Sequence, residues 1–379
     1  MSVKETRSGR TDPVTTAPGT AAPADDAVAE PRAAPQAGAP RVRGVWAVLG
    51  RIGQVRELAL LLFLVLAGLV VNIFLPGFLG WTNLKVILLG MSFDAIIAVG
   101  MTILLVSGGF DLSVGAVMAL AGSVTGLSLG SGTPVAVAIV EGVLVGACVG
   151  LVNGLVIARL GVNPLITTLG TMSVVNGAVL LLTGEQGVSN LPGVFAIPVG
   201  QATPFGIQTP ILVMAVIVIV GDVLLRRTRF LRQNYYIGAN IRSARLSGIK
   251  VVRIQVFNYV LVAALAALAG LLTAARQSGI STNTGGPDAL QVIAAVVIGG
   301  ASLSGGEGTV LGSFLGLFLL NAILNVISGL GINPDWGPVI TGTVLVLAVT
   351  LDQLGRLVRL QGGWRGAGRY LVRVVRRGS

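Results

Sequence analysis

The sequence contains no histidine, one cysteine and few charged residues, and each shortage excludes a class of function. Zero histidines in 379 residues remove the usual general base and the commonest metal ligand. Cys148, as the one cysteine, cannot form an internal disulfide or a multi-cysteine metal site. Charged residues make up 11% of the chain, against about 25% in soluble domains. We therefore predict no catalytic residues and no metal site.

Apolar residues are correspondingly abundant. They account for 53% of the sequence, and the mean hydropathy is +0.87. A membrane-spanning helix needs about 20 mostly apolar residues, and ten such segments can be recognised. They cover residues 58–75, 84–106, 112–129, 134–158, 164–183, 208–225, 254–273, 289–303, 308–328 and 336–352. The predicted fold is an all-α integral membrane protein with about ten transmembrane helices.

The net charge of +11 is explained by the positions of the basic residues. Most of them lie before residue 57, within 226–253 and after residue 352. Short basic segments stay on the cytoplasmic side of a membrane, and ten crossings place all three segments there, together with both termini. Membrane topology therefore accounts for the charge better than nucleic-acid binding does.

Composition divides the chain into four parts. Residues 1–40 are rich in Ala, Pro and Thr without an apolar run, which predicts a disordered cytoplasmic tail. Residues 41–57 form a basic juxtamembrane segment, 58–352 the transmembrane domain, and 353–379 a basic cytoplasmic tail. Four tryptophans should act as interfacial anchors: Trp81 and Trp336 outside, Trp46 and Trp364 inside.

Two glycine-rich stretches interrupt the apolar segments, and we expect broken helices at 108–115 and 299–308. The first reads GGFDLSVG, and the second lies in IGGASLSGGEGTVLGS, residues 298–313. They align without gaps at an offset of 191. Paired breaks in two halves of a membrane protein indicate a transport pathway, because irregular backbone at membrane depth must be buried in protein or line a wet cavity. The candidate translocation-path residues are Gly108, Gly109, Asp111, Ser113, Gly299, Gly300 and Ser304.

Three acidic residues, Asp94, Asp111 and Glu141, fall within or beside apolar segments, where a charge is costly. Asp111 or Ser113 can cap the next helix by accepting a hydrogen bond from its first N–H groups, and we favour this role over substrate contact. Asp94 and Glu141 are interpreted as polar packing. An ion-coupled secondary transporter would instead use such a carboxylate to carry its driving ion, and this alternative stays open.

The longest basic loop contains YYIGANIRSARLSGIKV at residues 235–251. Asn240 can be an N-cap and Gly248 a C-terminal stop, which predicts a helix of about eight residues that is too short to span a membrane. A separate run, GVLVGACVGLVNG, repeats glycine every four residues from Gly142 to Gly154. That spacing predicts close packing against another helix.

Four stretches resemble, in order, the motifs of the ribose/xylose-type permease subunits of bacterial ATP-binding cassette sugar importers, the binding-protein-dependent transport system inner-membrane component family. They read AVGMTILLVSGGFDLSVGAVMALAG, ARLGVNPLITTLGTMSVVNG, IGANIRSARLSGIKV and IAAVVIGGASLSGGEGTVLGS. The resemblance covers residues 58–352. It implies a multi-pass inner-membrane permease that imports a monosaccharide by alternating access and is not itself an enzyme.

The resemblance also implies partners. These are a second permease subunit (a homodimer), an ATPase subunit and an extracytoplasmic sugar-binding protein, within membrane lipid. ATP and Mg would be used by the ATPase, because this chain lacks a GxxxxGK[ST] phosphate loop, and we expect no cofactor in it. The binding protein would dock on the outer loop 184–210, which carries no recognisable code for a particular sugar.

The coupling segment, residues 238–248, would sit in a cleft of the ATPase. The positions that match the family's pattern are Gly238, Asn240, Ala244, Arg245, Leu246 and Gly248. Arg242 departs from that pattern, since the family commonly has an acidic residue there. This departure concerns which ATPase the chain accepts.

Overall fold

The computed structural model describes residues 56–360, apart from 287 and 334, with side chains from 57 to 350. The tail predicted at 1–40, nearly all of the basic segment 41–57, and the two inner tryptophans, Trp46 and Trp364, lie outside these residues. So does the basic tail 353–379, except for 353–360, whose backbone continues the last helix.

The described chain is almost entirely helical. The helices are α1 (Arg56–Phe74), α2 (Trp81–Val106), α3 (Val114–Gly130), α4 (Val135–Ala158), α5 (Pro164–Thr183), α6 (Gly193–Ala196), α7 (Thr209–Arg227), α8 (Arg229–Ala239), α9 (Ile241–Leu246), α10 (Val251–Gln277), α11 (Asp288–Ile298), α12 (Val310–Gly329) and α13 (Trp336–Leu360). Two short strands, β1 (Val188–Ser189) and β2 (Gly279–Ile280), pair antiparallel.

Each of the ten predicted apolar segments coincides with a helix, which confirms the all-α membrane fold. In the described part of the chain, seven helices are long and apolar enough to cross a membrane. The apolar helices α3 and α11 are shorter, with 17 and 11 residues. Eleven helical residues extend about 16 Å, roughly half of a 30 Å hydrocarbon layer, so α11 crosses only part of a bilayer.

Helices α2 and α10 form the centre of the bundle, and α10 packs along α4, α3 and α2. The glycine repeat of α4 faces α10. A Cβ atom on Gly150 would lie 2.4 Å from the carbonyl oxygen of Tyr259, and one on Gly154 would lie 2.9 Å from Cα of Val256. The predicted close packing is therefore present, and it supplies the van der Waals contact that holds helices together in lipid.

The outer loop 184–210 is a structured cap. Strand β1 pairs with β2, which follows α10, and a Cβ atom on Gly200 would lie 2.3 Å from the backbone nitrogen of Arg276. Phe205 is 96% exposed on this cap. Helices α8 and α9 follow each other directly and form a short hairpin. Because α7 starts beside the cap and ends beside α8, the cap and this α8–α9 hairpin lie at opposite ends of the bundle.

Candidate functional site

The first broken stretch begins with a hydrogen-bonded C-terminal motif that ends α2. The backbone N–H groups of Gly108 and Gly109 donate to carbonyl groups in the last turn of α2, at 2.8 and 3.0 Å. Gly108 has φ +83°, the left-handed conformation that this C-terminal motif requires and that glycine adopts without strain. The predicted break between α2 and α3 is therefore present.

The same C-terminal motif ends α11. The N–H groups of Gly300 and Ala301 donate back into the last turn of the helix, each at 3.0 Å, and Gly300 has φ +110°. Gly300 thus holds the place that Gly108 holds in the first break, an offset of 192 (300 − 108). The predicted offset of 191, which pairs Gly108 with Gly299, is wrong by one residue at this point, because it matched glycines by identity and not by conformation.

Asp111 is fully buried within a hydrogen-bond network. Its Oδ1 accepts from the backbone N–H and the hydroxyl of Ser113, at 2.7 and 2.6 Å. Asn153 of α4 donates to Asp111 Oδ2 at 3.3 Å and to Ser113 Oγ at 3.0 Å. The Oδ1 atom of Asn153 in turn accepts from the hydroxyl of Thr171 on α5 at 2.6 Å. The carboxylate therefore ties the start of α3 to α4 and α5.

The predicted cap of α3 is not formed by either candidate, since neither Asp111 nor Ser113 accepts a hydrogen bond from an N–H group of the helix. Ser113 directly precedes α3, but its side chain accepts no bond from the helix N–H groups, since its hydroxyl is directed to Asp111. Asp111 instead accepts the N–H of Ser113, just before the helix begins. At the second break, Thr309 is a true N-cap of α12 and accepts from the N–H of Gly312 at 3.1 Å.

Backbone from three parts of the chain meets at one point, which we name the glycine junction (Gly108, Gly238, Gly305 and Gly306). The N–H of Gly306 donates to the carbonyl of Val106 at 2.9 Å. A Cβ atom on Gly238 would lie 2.0 Å from that carbonyl oxygen and 2.3 Å from Gly306 N. One on Gly305 would lie 2.8 Å from Gly238 Cα and 2.9 Å from Gly108 N. The end of α2, helix α8 and the second break are therefore in direct backbone contact.

Side chains of α8 reinforce the junction. Asn258 of α10 donates from Nδ2 to Asn234 Oδ1 at 2.8 Å and to Ser107 Oγ at 3.1 Å, and all three residues are buried. The Tyr235 hydroxyl donates to the carbonyl of Gly308 at 2.8 Å. Burial raises the pKa of Tyr235 above its ordinary value, so the hydroxyl keeps its proton and stays a donor at neutral pH.

The predicted coupling helix is α9, which has six residues rather than eight. Asn240 caps it by accepting an N–H of its first turn at 3.0 Å, and Gly248 ends it with φ +80°, both as predicted. Ala244 is buried between α8 and the start of α10. Arg245 and Leu246 are exposed, Leu246 by 85%. Arg242, which departs from the family's pattern, is exposed beside them.

The other predicted site residues are dispersed around the junction. Gly238 is not at the exposed tip of the hairpin but within the glycine junction. Gly109 packs against Leu104 and the Tyr259 hydroxyl, and Gly299 against the backbone of Gly312. Ser304 is exposed. The two breaks thus come together, but their residues do not line one shared surface.

Sequence reasoning missed three buried amides: Asn153, Asn234 and Asn258. Each joins a broken stretch or α8 to a neighbouring helix. Two of them, Asn153 and Asn258, interrupt apolar helices. A polar residue within an apolar span is the signal that could have identified them.

The two remaining acids, Asp94 and Glu141, each accept a hydrogen bond from a neighbouring helix. Ser128 of α3 donates its hydroxyl to Glu141 of α4, and Gln291 of α11 donates from Nε2 to Asp94 Oδ2 of α2 at 3.1 Å. Each of these two contacts joins neighbouring helices.

Charged side chains also join three helices at the hairpin end of the bundle. Arg226 of α7 binds Glu57 of α1 at 2.7 Å and Asp222 at 2.8 Å. Glu57 also accepts a hydrogen bond from the Thr309 hydroxyl, and Asp222 accepts one from the backbone N–H of Leu311 at 3.2 Å. This network fixes the start of α12 directly after the second break.

A helical membrane bundle with two broken helices, joined at one end to a short exposed helical hairpin, has the features of a transport subunit. Irregular backbone of this kind in membrane proteins forms transport sites and the parts that move around them. The exposed α9 gives such a bundle a surface for a partner outside the membrane.

Comparison with known proteins identifies the family. Residues 83–349 match the family model described as branched-chain amino acid transport system / permease component, so the chain belongs to this family of permease components. It is therefore a transport subunit and not an enzyme, and a multi-pass protein of the cell membrane.

Several curated relatives cover most of the chain. The ribose import permease protein RbsC of Bacillus subtilis (strain 168) is 35% identical over 302 residues, 79% of this chain and 94% of the relative. The galactose/methyl galactoside import permease protein MglC of Escherichia coli (strain K12) is 35% identical over 297 residues, 74% and 88%. The probable ABC transporter permease protein y4mJ of Sinorhizobium fredii is 34% identical over 300 residues, 79% and 90%. No solved structure matches this chain.

We predict that Asp111→Asn lowers transport while membrane insertion stays intact. The new amide has one acceptor oxygen instead of two, so it cannot accept from both Ser113 and Asn153, and an unpaired buried polar group costs about 1–3 kcal/mol. The double variant Asp111→Asn/Asn153→Asp restores a donor and an acceptor across this contact. It should recover part of the uptake into reconstituted vesicles and part of the thermal stability in detergent. Wild-type uptake by the single variant would contradict the framework role of Asp111.

Proposed function

We propose that this chain is the permease subunit of an ATP-driven, binding-protein-dependent importer of a ribose- or xylose-like monosaccharide. Two copies form the translocation path, and the pair works by alternating access. The glycine junction is the observation that carries this mechanism, since it joins the exposed hairpin to both broken helices by backbone contact. A movement of α8 by even one ångström must displace the end of α2 or the second break, because the contact is between backbones and no side chain can change its conformation to absorb the movement.

The substrate class rests on the relatives. Their names specify ribose and galactose import, whereas the family description specifies branched-chain amino acids. We favour a sugar because the sugar permeases are matched along nearly their whole length. The ligand-bearing partner is an extracytoplasmic binding protein that docks on the outer cap, with exposed Phe205 at its surface.

The driving partner is an ATPase subunit that binds α9 on the cytoplasmic side. Residues 226–253 contain eight basic residues and no acidic one, which supports a cytoplasmic position for this end of the bundle and for both termini. Arg242, Arg245 and Leu246 are exposed together on α9. The receiving cleft should accordingly combine acidic and apolar side chains. ATP and Mg act in that partner, and this chain holds no cofactor.

The mechanism follows from these contacts. When ATP closes the ATPase pair, α9 is displaced and α8 moves with it. The glycine junction and the Asn234–Asn258–Ser107 bonds pass the movement to the end of α2 and to the second break. The helices that start after the breaks, α3 and α12, then re-open the path to the other side.

Uptake into vesicles tests the function. Proteoliposomes that contain the permease and its ATPase, with the binding protein outside, should accumulate D-ribose, D-xylose or D-galactose only when ATP is supplied to the ATPase. Leucine serves as the amino-acid probe. Uptake by the permease alone on an ion gradient would instead establish a secondary transporter, and ATP-driven uptake of leucine without sugar would overturn the substrate class.

The coupling role of α9 predicts that Arg245→Glu uncouples ATP hydrolysis from transport. The reversed charge should repel an acidic cleft, so ATPase association in detergent and uptake should fall together. Arg253→Glu makes the same charge change in the same basic segment but outside α9, and it should leave both near wild type. Unchanged association and coupling in Arg245→Glu would contradict the assigned docking surface.

A further inference from the structure

A polar cluster lies inside the bundle, away from the glycine junction. Asp94 is near the middle of α2, only 7% exposed, and is bonded to Gln291 of α11. Asp288 lies one turn before Gln291 on α11, the helix that packs against α2. In the described residues, no salt bridge involves either acid. Packing alone is a poor account of two uncompensated acids inside a membrane domain, where such residues mark functional sites.

The chain that leads to this cluster enters the bundle without helical structure. Ile280 of β2 packs on Gly122 of α3, whereas Gly285 packs on Gly115. Gly122 and Gly115 are two helical turns apart, so the segment 281–285 descends about 10 Å into the bundle. A Cβ atom on Gly115 would lie 1.9 Å from the carbonyl oxygen of Gly285, which shows how closely the segment follows α3.

This descent explains why α11 is short, and it brings two helix starts together. Helix α3 begins at Val114 and α11 at Asp288, on either side of the Gly115–Gly285 contact. Non-helical backbone at this depth persists only if it is buried in protein or lines a wet cavity. Ser281 and Asn283 are exposed, and Thr282 and Asp288 are half-buried. Two of these polar side chains are therefore accessible, and the other two are partly accessible.

We propose that Asp94, Gln291, Asp288 and the segment 281–284 form a site that binds the hydroxyl groups of the transported monosaccharide midway across the membrane. This proposal rests on the proposed sugar-import function. The carboxylates accept hydrogen bonds from sugar hydroxyls, while the Gln291 amide and the segment's hydroxyl and amide groups complete the pairing. A neutral polyol supplies these donors without a charge of its own.

The position of the segment supports delivery from the outer side. Its first residues follow β2, which pairs with β1 of the outer cap through Val188↔Ile280 and Ser189↔Gly279. The surface on which the binding protein is proposed to dock is thus bonded directly to the chain that descends to Asp94. Docking can move the site without passing through the glycine junction.

Substitutions in the complete transporter test the site. In proteoliposomes, Asp94→Asn and Gln291→Leu should each lower uptake of the sugar that the wild type accumulates by about tenfold or more. The stimulation of ATP hydrolysis by the sugar-loaded binding protein should persist, because α9 and the glycine junction are unchanged. Asn325→Leu is the matched control. It removes an amide pair with Asn83, at 3.0 and 3.1 Å, between α12 and the same helix α2, and should transport normally.

Cysteine labelling gives a readout that does not depend on uptake. In a Cys148→Ala background, Asn283→Cys should react with a water-soluble thiol reagent, and the transported sugar at millimolar concentration should slow the reaction while leucine should not. Val65→Cys on α1, 51% exposed on a helix with few contacts, is the lipid-facing control and should not react.

Three outcomes would overturn the site. They are wild-type uptake by Asp94→Asn, loss of uptake together with loss of ATPase stimulation, and labelling of Asn283→Cys that the transported sugar does not slow. If Asp94→Asn fails to fold, the labelling result decides alone. Failure of the underlying function is distinct, since the wild-type transporter would then accumulate no sugar in the first place.

Discussion

Backbone contact without side chains, at Gly108, Gly238, Gly305 and Gly306, is the constraint on which the rest of the structure depends. In lipid there is little hydrophobic force between helices, so close packing and internal hydrogen bonds must hold the bundle together. At this point the end of α2, the second break and α8 lie so close that a Cβ atom on Gly238 or Gly305 would overlap backbone atoms of its neighbours. The hydrogen bond between Gly306 and Val106 joins the end of α2 to the second break, and Gly238 of α8 packs against both of the bonded groups.

The buried polar groups form separate hydrogen-bond networks, and each network holds a different part of the bundle. The Asp111–Ser113–Asn153–Thr171 network fixes where α3 starts, and the Asn234–Asn258–Ser107 bonds fix α8 to the core. In the first network, both carboxylate oxygens of Asp111 accept hydrogen bonds. In the second, Nδ2 of Asn258 donates to Asn234 and Ser107, while Nδ2 of Asn234 and Oδ1 of Asn258 have no partner among the described residues. Asp94 differs, because the described residues give it one hydrogen-bond donor, Gln291, and Ser281 and Asn283 of the adjoining segment are exposed. A carboxylate keeps acceptor capacity beyond one such bond, and ligand hydroxyl groups can use it.

The sequence predicted the ten helices, the two breaks and the α9 cap because each has a local signal: apolar length, a left-handed glycine, or an asparagine before a short helix. It did not predict that Gly238 lies against Val106 and Gly306, because glycine has no side chain whose character could indicate a partner. The gapless repeat failed by one residue because identity does not encode φ. Asp111 or Ser113 was expected to cap α3, yet the Asp111 carboxylate accepts the N–H and the hydroxyl of Ser113, so neither side chain bonds to an N–H group of the helix. The sequence did not predict that residues 281–285 run into the bundle, because their polar composition resembles that of an ordinary surface loop.

The central claim is that the glycine junction transmits the movement of the hairpin to the broken helices. The direct measurement is sugar uptake and ATP hydrolysis by a reconstituted transporter that carries Gly238→Ala, with Gly342→Ala, whose Cβ would meet open space, as the control. The account predicts that Gly238→Ala still binds the ATPase through the unchanged α9 surface and still hydrolyses ATP, but accumulates only a small fraction of the wild-type sugar. Coupled, wild-type uptake by Gly238→Ala would contradict it.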